Sequence, residues 1–194
     1  SIFEYGDVST CSFHATKLFH TGEGGAIFCQ DEALRHKIFY SHNFGHKGAL
    51  NFYGLGINGK ICELQAAMGL AVLPHMEDIL NERRKVVDYY NENLDFSKIK
   101  KLRIRNETKW NYSYYPVLFE SEAVLLEVQK KLNENQIFPR RYFYPSLSSL
   151  TYVTKQSTPI TDGIVKQIVC LPLYHDLKND DIYKICNYIN NNIK

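Results

Sequence analysis

The stretch Ser12-Phe13-His14-Ala15-Thr16-Lys17-Leu18-Phe19-His20-Thr21-Gly22-Glu23-Gly24-Gly25 decides how the rest of the chain is read. It sets one lysine among aromatic and small residues. A β-compatible run, Val8 to Phe13, leads into it, and a second, Ala26 to Cys29, follows the glycines. Gly22, Gly24 and Gly25 permit a tight turn and a close approach of the backbone to another group. A lysine in partly apolar surroundings loses solvation of its charged form and becomes a better nucleophile toward carbonyls. Such lysines form Schiff bases. The commonest role of a lysine beside aromatic rings is plainer, a surface residue with a packed stem. Composition alone leaves both roles open for Lys17.

Outward from that stretch, Asp31 to Tyr40 reads as a short helix. Ser41 to Gly59 is rich in Gly, Asn, His and aromatic residues and has neither helical nor strand period. It is expected to be a long loop, and long loops inside compact domains are usually functional or disordered. Ile61 to Leu73 is the next helix, with Asn58 near its start as a capping candidate. Pro74 marks a break or a kink. An amphipathic helix follows from about Glu77 to Leu94, with Ile79, Leu80, Val86, Val87, Tyr90 and Leu94 at core-facing spacing. The domain junction is expected along it, dividing residues 1–78 from 79–194.

Beyond the junction the pattern is α+β. Asn111 to Phe119 reads as an aromatic strand, Glu122 to Asn133 as a helix, Gln167 to Cys170 as a short apolar strand and Asp180 to Ile193 as a closing helix.

The chain has 194 residues, 44% hydrophobic and 23% charged, with a net charge of +2. That is ordinary globular composition, with no global attraction toward nucleic acid or acidic membranes. The cysteines Cys11, Cys29, Cys62, Cys170 and Cys186 are odd in number and widely spaced, without a C-x-x-C pair. They suggest free thiols in a reducing compartment, and the cytoplasm is the expected location. No segment approaches the ~18–20 apolar residues of a membrane span. His42 and His46 are four apart, but Gly45 between them argues against one helical face, so no metal site is expected.

A second segment, Gly56-Ile57-Asn58-Gly59-Lys60-Ile61-Cys62-Glu63-Leu64-Gln65-Ala66-Ala67, completes the pattern begun by the lysine stretch. S-F-x-x-T-K with x-x-x-x-G-E-G-G, followed by G-x-N-x-[RK]-x-x-E-x-x-A-A, resembles the DegT/DnrJ/EryC1/StrS family of pyridoxal phosphate (PLP) sugar aminotransferases. Arg140-Arg141-Tyr142-Phe143-Tyr144-Pro145-Ser146-Leu147 resembles the substrate-side turn of that family's small domain, and Leu171-Pro172-Leu173-Tyr174 its closing L-P-L/I element. Many relatives carry a histidine soon after the tyrosine-proline turn, whereas Ser146 to Ser149 has none.

The resemblance implies a type I PLP-dependent transferase fold, α/β in class. Residues 1–78 would be the end of the large PLP-binding domain and 79–194 a small C-terminal α+β domain. It implies that Lys17 holds the cofactor covalently and then shuttles a proton. Ser12 would contact the cofactor phosphate, and Asn58 would reach the phosphate of the neighbouring subunit in a homodimer. Tyr142 and Tyr144 would face the substrate. A sister branch of sugar 3-dehydrases has histidine at the lysine position, so Lys17 points to transamination. The branch resembled acts on dTDP-linked keto-deoxysugars, of the 4-amino-4,6-dideoxyglucose type, with glutamate as the expected donor. Family members carry about as many residues again before this stretch, including the aspartate that protonates the cofactor ring and tunes its electron sink. The 194 residues alone are therefore not expected to turn over.

Two other readings compete. Gly54-Leu55-Gly56-Ile57-Asn58-Gly59 is a literal G-x-G-x-x-G, but a dinucleotide site also needs a buried strand before it. Asn51-Phe52-Tyr53 does not look like one. The basic run Lys100 to Arg105 and the arginine–aromatic run Arg140 to Tyr144 could hold single-stranded nucleic acid. A solvated turn and a sugar-nucleotide contact are the preferred readings of the two.

Overall fold

The structure is a computed structural model and describes residues 1–193. The chain divides into two compact units, Ser1–Glu77 and Asp78–Lys194.

In the first unit, β1 (Val8–Ser12) and β2 (Gly25–Cys29) form an antiparallel hairpin, registered from Val8 opposite Cys29 to Ser12 opposite Gly25. A Cβ at Gly25 would lie 2.8 Å from the Cys11 carbonyl oxygen, so this pairing needs glycine. The register makes Ser12 and Gly25 the last pair before the lysine loop, residues 13–24. Helix α1 (Glu32–Ser41) starts where the Asp31 carboxylate accepts from Leu34 N at 2.6 Å, a side-chain cap on an otherwise orphaned donor. Helix α2 (Glu63–Val72) ends in a single 3-10 turn at Leu73–His75, which contains Pro74, and α3 (Met76–Asn93) continues from it.

Between α1 and α2 the chain is irregular, tied by isolated bridges between Asn43 and Asn58 and between His46 and Phe52. Gly45 has φ 73°, and a Cβ there would run into the Gly54 carbonyl. Phe52 contributes only its one bridge, and the next helix begins at Glu63, so the glycine pattern Gly54–Gly59 lacks the strand and the adjoining helix of a dinucleotide turn. Asn58 does not cap α2. The helix starts later than its spacing suggested, with Cys62 at the cap position and Cys62 N donating to Gln65 Oε1 at 2.7 Å.

The second unit holds a three-stranded antiparallel sheet in the order β3 (Lys100–Lys101), β4 (Tyr115–Leu118), β5 (Ile168–Leu171). Its core joins Val86, Val87 and Tyr90 from α3 with Leu125, Val128 and Leu132 from α4 (Glu122–Glu134). Ile182, Ile185, Cys186 and Ile189 from α6 (Asn179–Asn192) complete it around Val117, Val169 and Leu171. A short helix, α5 (Pro159–Ile164), precedes β5 and was not anticipated. The aromatic strand is shorter than its composition suggested. Tyr112 adopts a left-handed backbone (φ 54°) and Asn111 Oδ1 accepts from Ser113 N, so a turn replaces extended chain. The basic run is not wholly a solvated turn: Lys100 and Lys101 pair with Leu118 and Val117, and Lys101 Nζ reaches Asn91 Oδ1 at 2.9 Å. Arg83, on the core side of α3, donates from its guanidinium to the carbonyls of Tyr112 and Ser113, each at 2.8 Å.

The core of this unit encloses groups that ionise in alkali. Burial pushes the Cys170 thiol up to about 11 and the Cys186 thiol up to about 12. It also raises the Tyr90 and Tyr115 phenols. The folded state holds these protons more tightly than the unfolded chain does. Their contribution is therefore complete below the ordinary thiol value of 9.0 and declines as pH rises toward the folded values. The urea midpoint, read from the fluorescence of the single tryptophan, Trp110, should fall steadily between about pH 9 and about pH 11, and less steeply in Cys186→Ala. A midpoint that stays flat over that range would contradict the burial of these groups.

Candidate active site

The lysine loop is closed at its neck by Phe13 N donating to Gly24 O and Thr21 N donating to Phe13 O, both at 2.9 Å. Lys17 N donates to His14 O at 2.9 Å, a turn that puts Lys17 at the tip. The His14 ring braces this turn. Thr16 N is a donor and lies 3.2 Å from Nδ1, so Nδ1 accepts and Nε2 carries the hydrogen, 3.6 Å from Glu23 Oε1. Thr21 is buried, and its hydroxyl donates to Glu23 O at 2.6 Å. Glu23 thus supports the turn. His20 Nδ1 is buried without a hydrogen-bond partner among the described residues.

Lys17 is exposed, and its amine makes no hydrogen bond or ion pair among the described residues. The aromatic residues near it in sequence do not enclose it, because they pack on each other. Phe13 meets Phe19 edge-on with ring centroids 4.9 Å apart. Ser12 Oγ accepts from His14 N at 3.3 Å, which leaves its own hydroxyl hydrogen free to donate.

The loop rests on α2. A Cβ at Gly69, the buried glycine of that helix, would lie 2.9 Å from Thr21 Cγ2 and 3.4 Å from Phe19 Cζ. Gly22 faces Met68 Sδ, and Gly24 faces Ile61. Thr21 and Gly69 were not singled out from the sequence. The available signal was a glycine inside a helix, which costs about 1 kcal/mol against alanine and calls for a packing reason.

Asn58 lies in the same unit but outside the lysine loop, and its hydrogen bond is to a neighbour: Lys60 Nζ donates to Asn58 Oδ1 at 2.7 Å.

Tyr142 and Tyr144 belong to the second unit, in a turn with cis peptide bonds at Tyr142–Phe143 and Tyr144–Pro145. Arg140 opens the turn by exchanging backbone hydrogen bonds with Cys170 at 3.1 and 2.8 Å. Its guanidinium donates to the Tyr142 hydroxyl at 2.8 Å. Arg141 pairs with Glu122 at 2.7 Å and lies over the Tyr144 ring, 3.7 Å from the centroid. Farther along, Ser148 Oγ (2.8 Å) and Thr158 Oγ1 (3.1 Å) donate to Asp162 Oδ1. Hydrogen bonds from Ser146, Ser148 and Thr158 hold the Asp162 carboxyl below its usual range. A cavity of about 350 Å³ beside this network is lined by Tyr144, Ser146, Ser148, Lys155 and Lys166.

The lysine hairpin and the α+β unit that follows it together match solved sugar aminotransferases in fold. The chain matches the structure of DesI, determined in the presence of its TDP-sugar product, with a TM-score of 0.83 at 27% identity, over 95% of this chain and 49% of that one. The fold is that of the type I PLP-dependent transferases. More narrowly, the chain belongs to the DegT/DnrJ/EryC1/StrS aminotransferase family, whose model matches residues 1–190. It is 35% identical over 196 residues to the dTDP-4-amino-4,6-dideoxy-D-glucose transaminase of Shigella dysenteriae, covering 97% of this chain and 53% of that protein. It is 27% identical over 189 residues to the GDP-perosamine synthase of Escherichia coli O157:H7, covering 96% and 52%. The chain spans about half the length of the curated relatives it matches.

Enlarging Gly69 should displace the lysine loop, because its Cβ has no room beside Thr21. Gly69→Val is expected to cost the first unit about 1–3 kcal/mol by overpacking and to speed amide exchange at Phe13 and Thr21. Unchanged exchange at those two amides would show that the loop does not lean on the helix.

Proposed function

We propose that this chain carries the lysine-bearing part of a PLP-dependent aminotransferase acting on a nucleotide-linked keto-deoxysugar. The observation that carries the reading is the lysine loop: an exposed amine, without a partner among the described residues, at the tip of a turn closed by its own backbone hydrogen bonds. The residues fit PLP by their chemistry. Lys17 Nζ suits an aldehyde, while the Ser12 hydroxyl and the Asn58 side-chain amide retain hydrogens to donate to a phosphate. When bound, PLP supplies an electron sink and carries the amino group between donor and acceptor. Lys17 Nζ contributes nucleophilic capture and then takes up and returns a proton at the reacting carbon. Ser12 and Asn58 bind and orient without exchanging protons.

The two units are read as the end of a large cofactor domain, residues 1–78, and a small C-terminal domain, residues 79–194. In the second, Tyr142 and Tyr144 face the sugar nucleotide. The ring of Tyr144, backed by the Arg141 guanidinium, offers an exposed edge and a hydroxyl. The preferred acceptor is dTDP-4-keto-6-deoxyglucose, because the dTDP-sugar transaminase shares more identity with the chain than the GDP-perosamine synthase does; glutamate is the proposed donor. A homodimer is proposed as the working form. Support comes from apolar side chains of the first unit that face solvent in the single chain, Leu50 at 90% exposure and Leu55 at 97%. All five cysteines are free, which suits the reducing cytoplasm.

Incubation with PLP, reduction with borohydride and peptide mapping should place a stable adduct on Lys17 that disappears in Lys17→Ala. Labelling scattered over many lysines, or none, would overturn the reading. In the protein that carries this chain, a dTDP-linked 4-keto-6-deoxyhexose should be aminated at least about tenfold faster than its GDP-linked counterpart, a preference of about 1.4 kcal/mol. The reverse order would move the substrate to the perosamine type.

A further inference from the structure

Asn58 is a point held firmly in its backbone and loosely in its side chain. Ile57 N donates to Ser41 O at 2.8 Å, Phe44 N to Ile57 O at 2.9 Å and Gly59 N to His42 O at 2.8 Å. These bonds flank Asn58 on both sides and leave its χ angles as the remaining freedom. A side-chain amide has an acceptor end and a donor end, and a half-turn exchanges them. An exposed asparagine would sample both, and with the oxygen outward it repels an anion.

Lys60 removes that ambiguity. Its ammonium has donors and no acceptor, so at 2.7 Å it can meet only the oxygen of the Asn58 amide. The nitrogen, with both hydrogens, must then point away. Lys60 is itself anchored, with Nζ 4.1 Å from the centroid of the Phe44 ring. Phe44 is fixed in turn by its backbone bond to Ile57, on the residue before Asn58. The ring, the ammonium and the amide form a short chain of contacts that ends in two outward N–H groups.

We propose that Lys60 is a positioning residue for the phosphate of the cofactor: it acts through Asn58, by locking the amide with its donors outward. The proposal rests on the functional reading above. Lys60 contributes little to folding, because both partners are exposed and an exposed hydrogen-bonded cation is worth little in stability. Its effect is on recognition of a phosphate, and a probe without a phosphate should not sense it.

The test compares PLP with pyridoxal, which lacks the phosphate, by the concentration giving half-maximal borohydride-trapped adduct at Lys17. The unsubstituted protein should prefer PLP. Lys60→Met should lose about tenfold of that preference, the worth of one hydrogen bond to a charged group, with pyridoxal capture and thermal midpoint unchanged. Lys60→Arg, which keeps the donor, should retain the preference. Asn58→Leu should lose as much as Lys60→Met, and the double variant no more than either, because the two residues act in series.

An unchanged preference in Lys60→Met overturns the proposal. So does an equal loss for PLP and pyridoxal, which would mark a structural role. Additive losses in the double variant also overturn it, by showing that Lys60 meets the phosphate directly. If the unsubstituted protein captures PLP and pyridoxal at Lys17 equally well, this proposal alone fails. If it captures neither at Lys17, the functional reading fails and takes the proposal with it.

Discussion

The contact between the lysine loop and Gly69 is the constraint on which the first unit depends. Phe19 and Thr21 come so close to α2 that the helix has no room for a methyl group at that position. The same approach buries Thr21, whose hydroxyl then needs an acceptor and finds the carbonyl of Glu23. That bond shapes the glycine turn and brings the loop back to Gly25, the partner of Ser12 in the hairpin. A glycine that weakens its own helix is thus repaid where the loop packs on it.

A common logic runs through the polar groups of the candidate site. At three of them an acceptor is satisfied from within. Ser12 Oγ takes a backbone N–H, Asn58 Oδ1 takes the ammonium of Lys60, and His14 Nδ1 takes Thr16 N. What remains is a hydroxyl hydrogen, an amide NH₂ and the amine of Lys17. Those are the donors that the proposed function assigns to an anionic ligand with a carbonyl.

The elements of the fold were legible where a period was strong. The amphipathic helix α3 and the closing helix α6 fall within a residue or two of their expected bounds, because their apolar residues must share a core. Local chemistry was harder to read. Asn58 looked like a helix cap, yet its neighbours are held by the loop from Ser41 to Phe44, a contact that no local pattern encodes. The aromatic run before β4 looked extended, but aromatic residues satisfy a core equally well from a turn, as Trp110 and Tyr112 do here. The lysine itself was found by its motif, whereas its exposure was not, since Phe13 and Phe19 prefer each other to the lysine stem. The support from Thr21 and Gly69 joins residues far apart in sequence, and such pairs are invisible without the fold.

The bonds that close the lysine loop, Phe13 N to Gly24 O and Thr21 N to Phe13 O, lie just beyond the last strand pair of one hairpin, Ser12 and Gly25. Contacts of short sequence separation form early, before the cost of closing long loops is met. During synthesis residues 8–29 emerge before α2 does. The chemical tip of this unit is therefore drawn together by contacts of short range in sequence, and its seat on α2 is completed only once residues 63–72 have followed it.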